Sequence, residues 1–359
     1  MLVKTKSRIG IIGAGAWGTA LGKRLAERGH AVQLWCYERE CAEAITRSRT
    51  NSRYLMGVRL PSRLTATTDL RETVDGKDFL LLAVPSLYLT RVVGLIADHP
   101  ALADGATHIG VLTKGFIESR RGILVITDAL ETILPACYRG NLVYISGPSH
   151  AEEVARGKIT GLISASRNGA NAIRFRQLLS DRHLLVFSSL DVTGVQICAA
   201  LKNVVAIAFG LLDALSELSE AFGDNTESLL MAAGLNEIQR LGMAMGATHP
   251  ETFTSIAGVG DLDVTCRSRY GRNRRFGREI ILDRLLDPYG GIDEVIADMG
   301  RIGYFAEGVV AARYADTLAR RHRIALPICQ GVYRIINRDV DPAAEVENII
   351  RRLLRGDTV

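Results

Sequence analysis

A glycine-rich turn near the start of the chain restricts the fold more than any other feature of the sequence. Gly13, Gly15 and Gly18 form the pattern G-x-G-x-x-G directly after the apolar run Ile9–Ile12, and Thr19–Gly29 has the pattern of a helix. In this setting the first glycine permits a tight turn, the second lets a pyrophosphate approach the backbone, and the third lets the helix pack against the strand. The sequence therefore predicts a dinucleotide site at this turn.

Short apolar runs alternate with helical stretches from Arg8 to about Leu190, which is typical of a parallel sheet covered by helices. Gly, Pro or Ser follows most of these runs within about three residues, and we expect such turns to line the ligand edge of the sheet. The predicted strands are Ile9–Ile12, Ala31–Trp35, Phe79–Val84, Thr107–Leu112, Leu142–Ile145 and Thr160–Ser164.

Helical spacing replaces the strand pattern after Asp191. The predicted helical stretches are Gly194–Leu215, Thr226–Met245, Ile292–Leu318 and Pro342–Leu354. A chain of 359 residues is also long enough for about two domains with a cleft between them. We predict an α/β fold class: an N-terminal doubly wound Rossmann domain at residues 1–190, followed by an all-helical C-terminal substrate domain at residues 191–359.

Composition excludes several classes of protein. The net charge of +5 is the small difference between 44 basic and 39 acidic side chains, so we expect no nucleic-acid partner. The six cysteines form no C-x-x-C or Cys/His cluster, so we expect buried free thiols, with neither a metal site nor a disulfide framework. The chain contains no stretch of about 18 uninterrupted apolar residues. We therefore expect a cytoplasmic protein without a membrane span.

Two side chains at predicted strand ends point to particular ligands. Glu38 follows Gly18 by about 20 residues, where an acidic group hydrogen-bonds the adenosine ribose of NAD and repels the 2'-phosphate of NADP. Neighbouring Arg39 is an alternative receptor for that phosphate, and both residues are also consistent with solvated loop charges, so NAD is expected and NADP stays open. Lys114 ends another strand, where its ammonium would face an anionic substrate unless it is a solvated loop lysine.

A series of motifs along nearly the whole chain resembles the bacterial type of NAD(P)-dependent glycerol-3-phosphate dehydrogenase. These motifs are Gly-Ala-Gly-Ala-Trp-Gly (13–18), Thr-Lys-Gly (113–115), Ser-Gly-Pro-Ser-His-Ala-Glu-Glu-Val (146–154), Ala-Leu-Lys-Asn-Val (200–204), Gly-Asp-Leu-Asp-Val-Thr-Cys (260–266), Gly-Arg-Asn-Arg-Arg-Phe-Gly (271–277) and Ala-Glu-Gly (306–308). The resemblance implies reversible reduction of dihydroxyacetone phosphate to sn-glycerol 3-phosphate, supply of glycerophospholipid synthesis, and a homodimer.

Reduction of a ketone requires a proton donor at the oxygen that receives negative charge. Lys202 is our candidate, because a solvated lysine is out of place in the apolar helix predicted at Gln196–Ile207 and burial would lower the pKa of its ammonium. A surface lysine with a buried stem is the alternative. Lys114 would be the second catalytic cation, and Asp261 would accept from Lys202 or from a substrate hydroxyl, unless it caps the helix that follows.

The resemblance, read with the residue chemistry, assigns the remaining site residues. The substrate-binding residues are Lys114, Gly147, Ser149, Lys202, Asn203, Asp261, Thr265, Gly271, Arg272 and Asn273. Arg272 is expected to be the one phosphate-binding arginine of its cluster, and the others a solvated helix face. The cofactor-binding residues are Gly13, Gly15, Ala16, Trp17, Gly18, Tyr37, Glu38, Lys114, Ala151, Arg272, Phe305 and Glu307.

The sequence departs from the family pattern in the second half of the chain. Ala232 and Ala233 stand where the family usually carries Thr-Arg, and Gly271 stands where it usually carries Ser. The change to Gly271 removes a hydroxyl and leaves the backbone N–H as an alternative donor, so phosphate binding is not excluded. The alternative functions are a related two-domain reductase of another phosphorylated or carboxylated keto substrate, and a non-catalytic NAD-binding regulator.

Overall fold

The computed structural model describes residues 6–268 and 271–354, with side chains described as far as residue 352. Residue contacts divide the chain into two compact units, Met1–Val192 and Thr193–Val359. We call these the first unit and the second unit.

The first unit contains an eight-stranded sheet and two small hairpins. In chain order the sheet strands are β1 (Arg8–Ile12), β2 (Ala31–Trp35), β5 (Leu64–Thr67), β6 (Phe79–Leu82), β7 (His108–Val111), β10 (Val143–Ser146), β11 (Thr160–Ala165) and β12 (Leu184–Ser189). The hairpins pair β3 (Thr50–Asn51) with β4 (Leu55–Arg59), and β8 (Phe116–Ser119) with β9 (Gly122–Val125). The sheet order is β12-β11-β10-β7-β6-β1-β2-β5.

This order creates a topological switch point beside β1. The chain runs outward from β1 to β2 and β5, and then returns to place β6 on the other side of β1. Both neighbours of β1 are parallel to it. In β6 and β10 every residue is buried, as expected for strands that helices cover on both faces. The doubly wound Rossmann fold predicted for the N-terminal part is confirmed.

Six α-helices accompany the sheet in the described part of the first unit. They are α1 (Ala16–Glu27), α2 (Arg39–Glu43), α3 (Ser86–Gly94), α4 (Ile126–Leu130), α5 (Ala151–Ala155) and α6 (Gly169–Leu179). The sequence predicted that this helix starts at Thr19, whereas α1 starts at Ala16. The prediction began three residues too late because the end of the glycine pattern forms the first turn of the helix. A π-helical turn at Ala44–Ser48 extends α2 toward the first hairpin.

Two expectations about the sheet were incomplete. The strand predicted at Thr160–Ser164 exists as β11, but β11 pairs antiparallel with β10, so the turn that follows β11 lies at the opposite edge from the ends of β1, β2, β6, β7 and β10. Strands β5 and β12 were not predicted. In β12 the apolar side chains of Leu185 and Phe187 are exposed, so apolar residues occupy both faces of this edge strand. The sequence therefore lacks the alternation of apolar and polar residues that predicts a half-buried strand.

The described part of the second unit contains helices and no strand, which confirms the predicted all-helical C-terminal domain. The helices are α7 (Val192–Leu218), α8 (Asp224–Ala244), α9 (Glu251–Thr254), α10 (Asp261–Arg267), α11 (Arg272–Leu282), α12 (Ile292–Ala297), α13 (Glu307–His322), α14 (Pro327–Ile336) and α15 (Pro342–Leu354). The helical stretch predicted at Ile292–Leu318 is interrupted, since α12 ends at Ala297 and the connection to α13 contains Gly303 at a left-handed φ of +83°.

Helix α7 is the central core helix of the second unit. By length and composition it is apolar enough to cross a membrane, but every residue of its most apolar window is buried inside the protein. Other helices approach it at backbone distance. A Cβ on Gly210 would lie 1.9 Å from the carbonyl oxygen of Arg274 in α11, and a Cβ on Gly277 of α11 would lie 2.1 Å from that of Ile207. These glycines fix α11 against α7.

A buried carboxylate caps another helix of this unit. Glu237 of α8 is completely buried, and its two carboxylate oxygens accept the backbone N–H groups of Ile328 at 2.6 Å and of Cys329 at 3.0 Å. These donors belong to the first turn of α14, whose N–H groups have no partner within their own helix. Burial raises the pKa of Glu237 from 4.5 to about 7, although the two N–H groups oppose the shift.

We predict that Glu237 makes the stability of the protein depend on pH. Between pH 4.5 and about 7 the folded protein keeps a proton that the unfolded chain has lost, so the free energy of unfolding falls as the pH rises. The Glu237→Gln variant lacks this titration. Its stability relative to wild type should therefore rise by an amount on the order of 3 kcal/mol across this window. Urea unfolding at several pH values measures the difference.

Exposed Glu220 provides the matched control, since Glu220→Gln changes the same chemical group at the surface. Glu220→Gln should follow the wild-type curve at each pH. A constant difference between wild type and Glu237→Gln over the whole window would contradict the prediction.

Candidate active site

The glycine-rich turn forms an open cradle between β1 and α1. Gly13 adopts a left-handed φ of +115°, and a Cβ on Gly18 would lie only 2.1 Å from the carbonyl oxygen of Gly13. A Cβ on Gly15 would meet no atom of the described chain within 4 Å. The open space over Gly15 adjoins the N-terminus of α1, where Ala16 and Trp17 form the first turn and are half-buried. This arrangement fits the pyrophosphate of a dinucleotide.

Buried Asn51, which the sequence analysis did not identify, holds the first hairpin against the glycine turn. Its Nδ2 donates to the carbonyl oxygen of Ala14 and to Thr19 Oγ1, both at 2.8 Å. Its Oδ1 accepts from Cys41 Sγ at 3.4 Å. The hairpin is too short to give a periodic pattern, so only the three-dimensional structure reveals this link.

The other site residues predicted in the first unit follow parallel strands and therefore lie along one edge of the sheet. Tyr37 and Glu38 follow β2, Lys114 follows β7, Gly147 and Ser149 follow β10, and Ala151 opens α5. Tyr37 is 83% exposed, whereas the Glu38 side chain is 23% exposed and accepts a hydrogen bond from Tyr54. The structure thus places the predicted cofactor and substrate residues of this unit at the same edge of the sheet as the cradle.

Two turns at this edge are shaped by specific contacts. Thr113 Oγ1 donates to the carbonyl oxygen of Val84 at 2.7 Å and fixes the turn that carries half-buried Lys114. Gly147 adopts φ +132°, and its carbonyl oxygen accepts from Ser149 Oγ at 2.9 Å. The Ser149 hydroxyl therefore donates within its own turn in this structure.

In the second unit, Lys202 of α7 is buried together with Asp261 and Thr265 of α10. The lysine is 6% exposed, and its Nζ donates to Asp261 Oδ1 and, at 2.9 Å, to Thr265 Oγ1. Thr265 Oγ1 in turn donates to the carbonyl oxygen of Asp261 at 2.6 Å. Lys202 is therefore not a surface lysine with a buried stem. Asp261 is the first residue of α10 and completely buried, and its carboxylate binds the lysine.

A second buried cluster joins α7, α11 and α13. Asn273 Nδ2 donates to Asn203 Oδ1 at 3.0 Å, and Asn273 Oδ1 accepts the backbone N–H of Gly308 at 2.9 Å. Asn203 Nδ2 donates to Glu307 Oε2 at a longer distance of 3.4 Å. Both polar atoms of the Asn273 side chain thus have protein partners, and half-buried Phe305 precedes this cluster in the chain.

The arginines of α11 differ in their partners. Arg274 forms a bidentate ion pair with Asp213, at 2.5 and 2.7 Å, while Arg275 and Arg278 pair with Glu279 and Glu217. Arg272 is exposed in the first turn of α11, and no carboxylate among the described residues pairs with it. A helix N-terminus with one exposed arginine is suited to a phosphate.

The structure also shows the three positions at which the sequence departs from the family pattern. Ala232 and Ala233 lie in α8, where Ala233 is buried. Gly271 is the N-cap residue of α11, and its backbone N–H donates to the carbonyl oxygen of Ser268 at 3.1 Å. This N–H, the alternative phosphate donor, therefore already has a backbone acceptor in this structure.

Within the described residues, no group of three or more His, Cys, Asp or Glu side chains is arranged to hold a metal ion. Five of the six cysteines are buried free thiols, while Cys137 is only partly buried. An open glycine cradle on a doubly wound sheet, together with a buried lysine and carboxylate on a helical unit, defines the class of nicotinamide-dependent oxidoreductases.

Comparison with known proteins narrows this class to one family. The model of the NAD-dependent glycerol-3-phosphate dehydrogenase N-terminus matches residues 8–172, and that of the C-terminus matches residues 191–347. The glycerol-3-phosphate dehydrogenase [NAD(P)+] of Treponema pallidum is 54% identical over 92% of this chain and 96% of its own length. That of Treponema denticola is 53% identical over 98% of this chain and 99% of its own.

A solved structure agrees with the sequence comparisons. The crystal structure of glycerol-3-phosphate dehydrogenase from Coxiella burnetii has a TM-score of 0.84 and 32% identity, and it covers 97% of this chain and 100% of its own. The chain belongs to the NAD-dependent glycerol-3-phosphate dehydrogenase family.

The cradle geometry predicts different roles for two of its glycines. In Gly15→Ala the new Cβ meets no protein atom, so the melting temperature should change little, but the methyl group would occupy the pyrophosphate space. We expect NADH affinity to fall at least tenfold. In Gly18→Ala the Cβ collides with the carbonyl oxygen of Gly13, so both stability and affinity should fall.

Thermal unfolding and NADH fluorescence titration measure these two effects separately. Wild-type NADH affinity in Gly15→Ala, or an unchanged melting temperature in Gly18→Ala, would show that the roles are assigned incorrectly.

Proposed function

We propose that this chain catalyses the reversible reduction of dihydroxyacetone phosphate to sn-glycerol 3-phosphate. The relatives are named for this activity, and the buried contact of Lys202 with Asp261 and Thr265 is the observation in this chain that carries it. The bound nicotinamide dinucleotide supplies the hydride for the ketone carbon. The residues of the chain bind the reactants and move the proton.

Lys202 is the proposed general acid of the reduction. As the ketone carbon gains a hydride, the carbonyl oxygen gains negative charge and takes a proton from Lys202 Nζ, which becomes a neutral amine. Solvent then restores the proton to the lysine. In the oxidation, the neutral amine removes the hydroxyl proton as the hydride leaves the carbon. Lys114 is the proposed second cation, which binds the substrate and stabilises the developing charge.

Asp261 and Thr265 position the acid. A buried ammonium is strongly disfavoured unless a charge and hydrogen bonds compensate it, and Asp261 and Thr265 supply both. Because Thr265 Oγ1 donates to the carbonyl oxygen of Asp261, its lone pairs are directed toward Lys202 Nζ. The lysine therefore has a defined orientation before substrate binds.

Arg272 is the proposed receptor for the substrate phosphate, assisted by the N-terminus of α11. The neighbouring arginines are occupied by carboxylates, whereas Arg272 is exposed and has no such partner in the described chain. Asn203, Asn273 and the turn residues Gly147 and Ser149 complete the proposed substrate site. For Asn273 the proposal is limited, because both of its side-chain polar atoms already have protein partners.

The proposed cofactor residues are those of the cradle and its edge. Gly13, Gly15, Ala16, Trp17 and Gly18 would surround the pyrophosphate, and Tyr37 and Glu38 the adenosine ribose. Ala151, Lys114, Phe305, Glu307 and Arg272 are assigned by family resemblance. The family uses NAD or NADP. We propose NAD as the preferred cofactor, because the carboxylate of Glu38, which follows β2, would repel the 2'-phosphate of NADP.

We also propose that the protein is a cytoplasmic homodimer and that its product supplies glycerophospholipid synthesis, as the family resemblance suggests. A reductase of another keto substrate and a non-catalytic regulator are less well supported. The relatives are named for one reaction, and the lysine cluster with its positioning partners is intact.

Lys202→Met should abolish the proton transfer while leaving cofactor binding intact. We expect kcat with dihydroxyacetone phosphate and NADH to fall by about 10²- to 10⁴-fold, as for loss of a general acid. Absorbance of NADH measures turnover, and NADH fluorescence measures binding. Lys158→Met is the matched control, because that lysine is exposed and pairs with surface Glu153. Near-normal kcat in Lys202→Met would disprove the assignment, and no turnover in wild type would disprove the proposed reaction.

Arg272→Met should raise KM for dihydroxyacetone phosphate by about 10- to 100-fold, because a charge-assisted contact to the phosphate is lost. Arg278→Met removes an arginine from the same helix that is paired with Glu217, so its KM should stay near wild type. Steady-state kinetics at saturating NADH distinguishes the two variants. An equal change of KM in both would indicate a general effect of positive charge instead of a phosphate site.

A further inference from the structure

Glu38 shares a small side-chain cluster with Arg53 and Tyr54. Tyr54 Oη donates to Glu38 Oε1 at 2.6 Å, and Arg53 Nη2 lies 3.6 Å from the same oxygen. The Arg53 guanidinium also lies over the Tyr54 ring, 5.4 Å from its centre. Among the described residues both groups that contact the carboxylate use Oε1. The other oxygen can therefore accept from ribose hydroxyls while Tyr54 holds the group in place.

The hairpin that carries Arg53 and Tyr54 has a fixed position relative to the cradle. These two residues lie in the connection between β3 and β4, directly after Asn51. The buried side chain of Asn51 is bonded to Ala14 in the glycine turn and to Thr19 in α1. Tyr54 is thus held near the glycine turn independently of any contact made by Glu38.

The two contacts to Glu38 differ in strength. The phenol donates a short hydrogen bond to an ionised acceptor, which is a strong type of hydrogen bond. Burial, and next the bond to Glu38, raises the pKa of Tyr54 to about 12, so the hydroxyl stays a donor at neutral pH. The Arg53 side chain is 63% exposed, and an exposed ion pair of this length is weak. Arg53 can therefore turn to another anion while Tyr54 keeps its bond.

We propose that Tyr54 is a positioning residue for cofactor selectivity and that Arg53 receives the 2'-phosphate when NADP binds. The inference rests on the proposed dinucleotide site, but not on the identity of the substrate. While Tyr54 holds the Glu38 carboxylate near the ribose, a 2'-phosphate meets a like charge and NADP binds more weakly than NAD. Arg53 compensates this repulsion in part by leaving Glu38 and pairing with the phosphate.

Tyr54→Phe tests the positioning role, because it removes the hydroxyl and keeps the ring. The released carboxylate can then turn away, so the ratio of NADH to NADPH affinity should fall by about tenfold. Glu38→Gln should lower the same ratio, and Tyr54→Phe added to Glu38→Gln should lower it no further. Fluorescence titration of the full chain with NADH and with NADPH gives the ratio. An equal loss of both affinities in Tyr54→Phe, or fully additive effects in the double variant, would overturn the proposal.

Arg53→Met and Arg39→Met test the phosphate receptor against its neighbour. Arg39 is also exposed, but within the described part of the chain it pairs with Glu43 along α2 and not with Glu38. Arg53→Met should weaken NADPH by about tenfold and leave NADH within about twofold. A selective loss of NADPH affinity in Arg39→Met but not in Arg53→Met would assign the phosphate to Arg39 and overturn this part of the proposal.

These binding measurements need no substrate, so they separate the inference from the proposed reaction. Wild-type protein that binds NADH and NADPH with the expected response to Tyr54→Phe, but does not turn over dihydroxyacetone phosphate, would support the inference and reject the reaction. Turnover with an affinity ratio that Tyr54→Phe leaves unchanged would reject the inference alone.

Discussion

The second unit of this protein depends on close backbone packing against α7. Glycines at the α7–α11 crossing bring carbonyl oxygens within about 2 Å of where a Cβ would lie, and Gly308 of α13 approaches Asn203 in the same way, at 2.5 Å. No side chain fits at these positions. The consequence is functional, because the N-termini of α11 and α13 are both placed beside the turn of α7 that carries Lys202 and Asn203. The candidate residues are therefore positioned by backbone contacts and only secondarily by their own hydrogen bonds.

This packing buries charge, and the two acidic residues that are completely buried in the described part of the second unit, Asp261 and Glu237, compensate it differently. Asp261 faces the ammonium of Lys202, so removing either partner leaves an uncompensated buried charge, which typically costs about 3–5 kcal/mol. Glu237 accepts two backbone N–H groups, and burial raises its pKa to about 7. One carboxylate holds a buried cation in place, and the other caps the start of a helix. Burial alone therefore does not distinguish a carboxylate that positions the candidate acid from one that caps a helix; the chemical nature of its partner does.

Local features of the sequence predicted the parts of the structure that local physics determines. The glycine turn, the strands with continuous apolar runs and the lysine within an apolar helix were all identified, because each is encoded within a few residues. The direction of β11 was not, since strand pairing depends on a distant neighbour. The break between α12 and α13 depends on the left-handed Gly303, and the contact between Tyr54 and Glu38 joins residues 16 positions apart across a two-residue strand. Such features have no periodic signal.

The arginines of α11 show how the fold distinguishes cations that composition leaves equivalent. In the sequence Arg272, Arg274, Arg275 and Arg278 are equivalent cations on one short segment. In the fold, a helix rotates successive residues by about 100°, so three of them reach carboxylates on α7 or on α11 itself. Arg272 begins the helix, where the helix dipole favours an anion, and no carboxylate among the described residues pairs with it. The position of this arginine at the helix start, more than its charge, makes it suited to a phosphate.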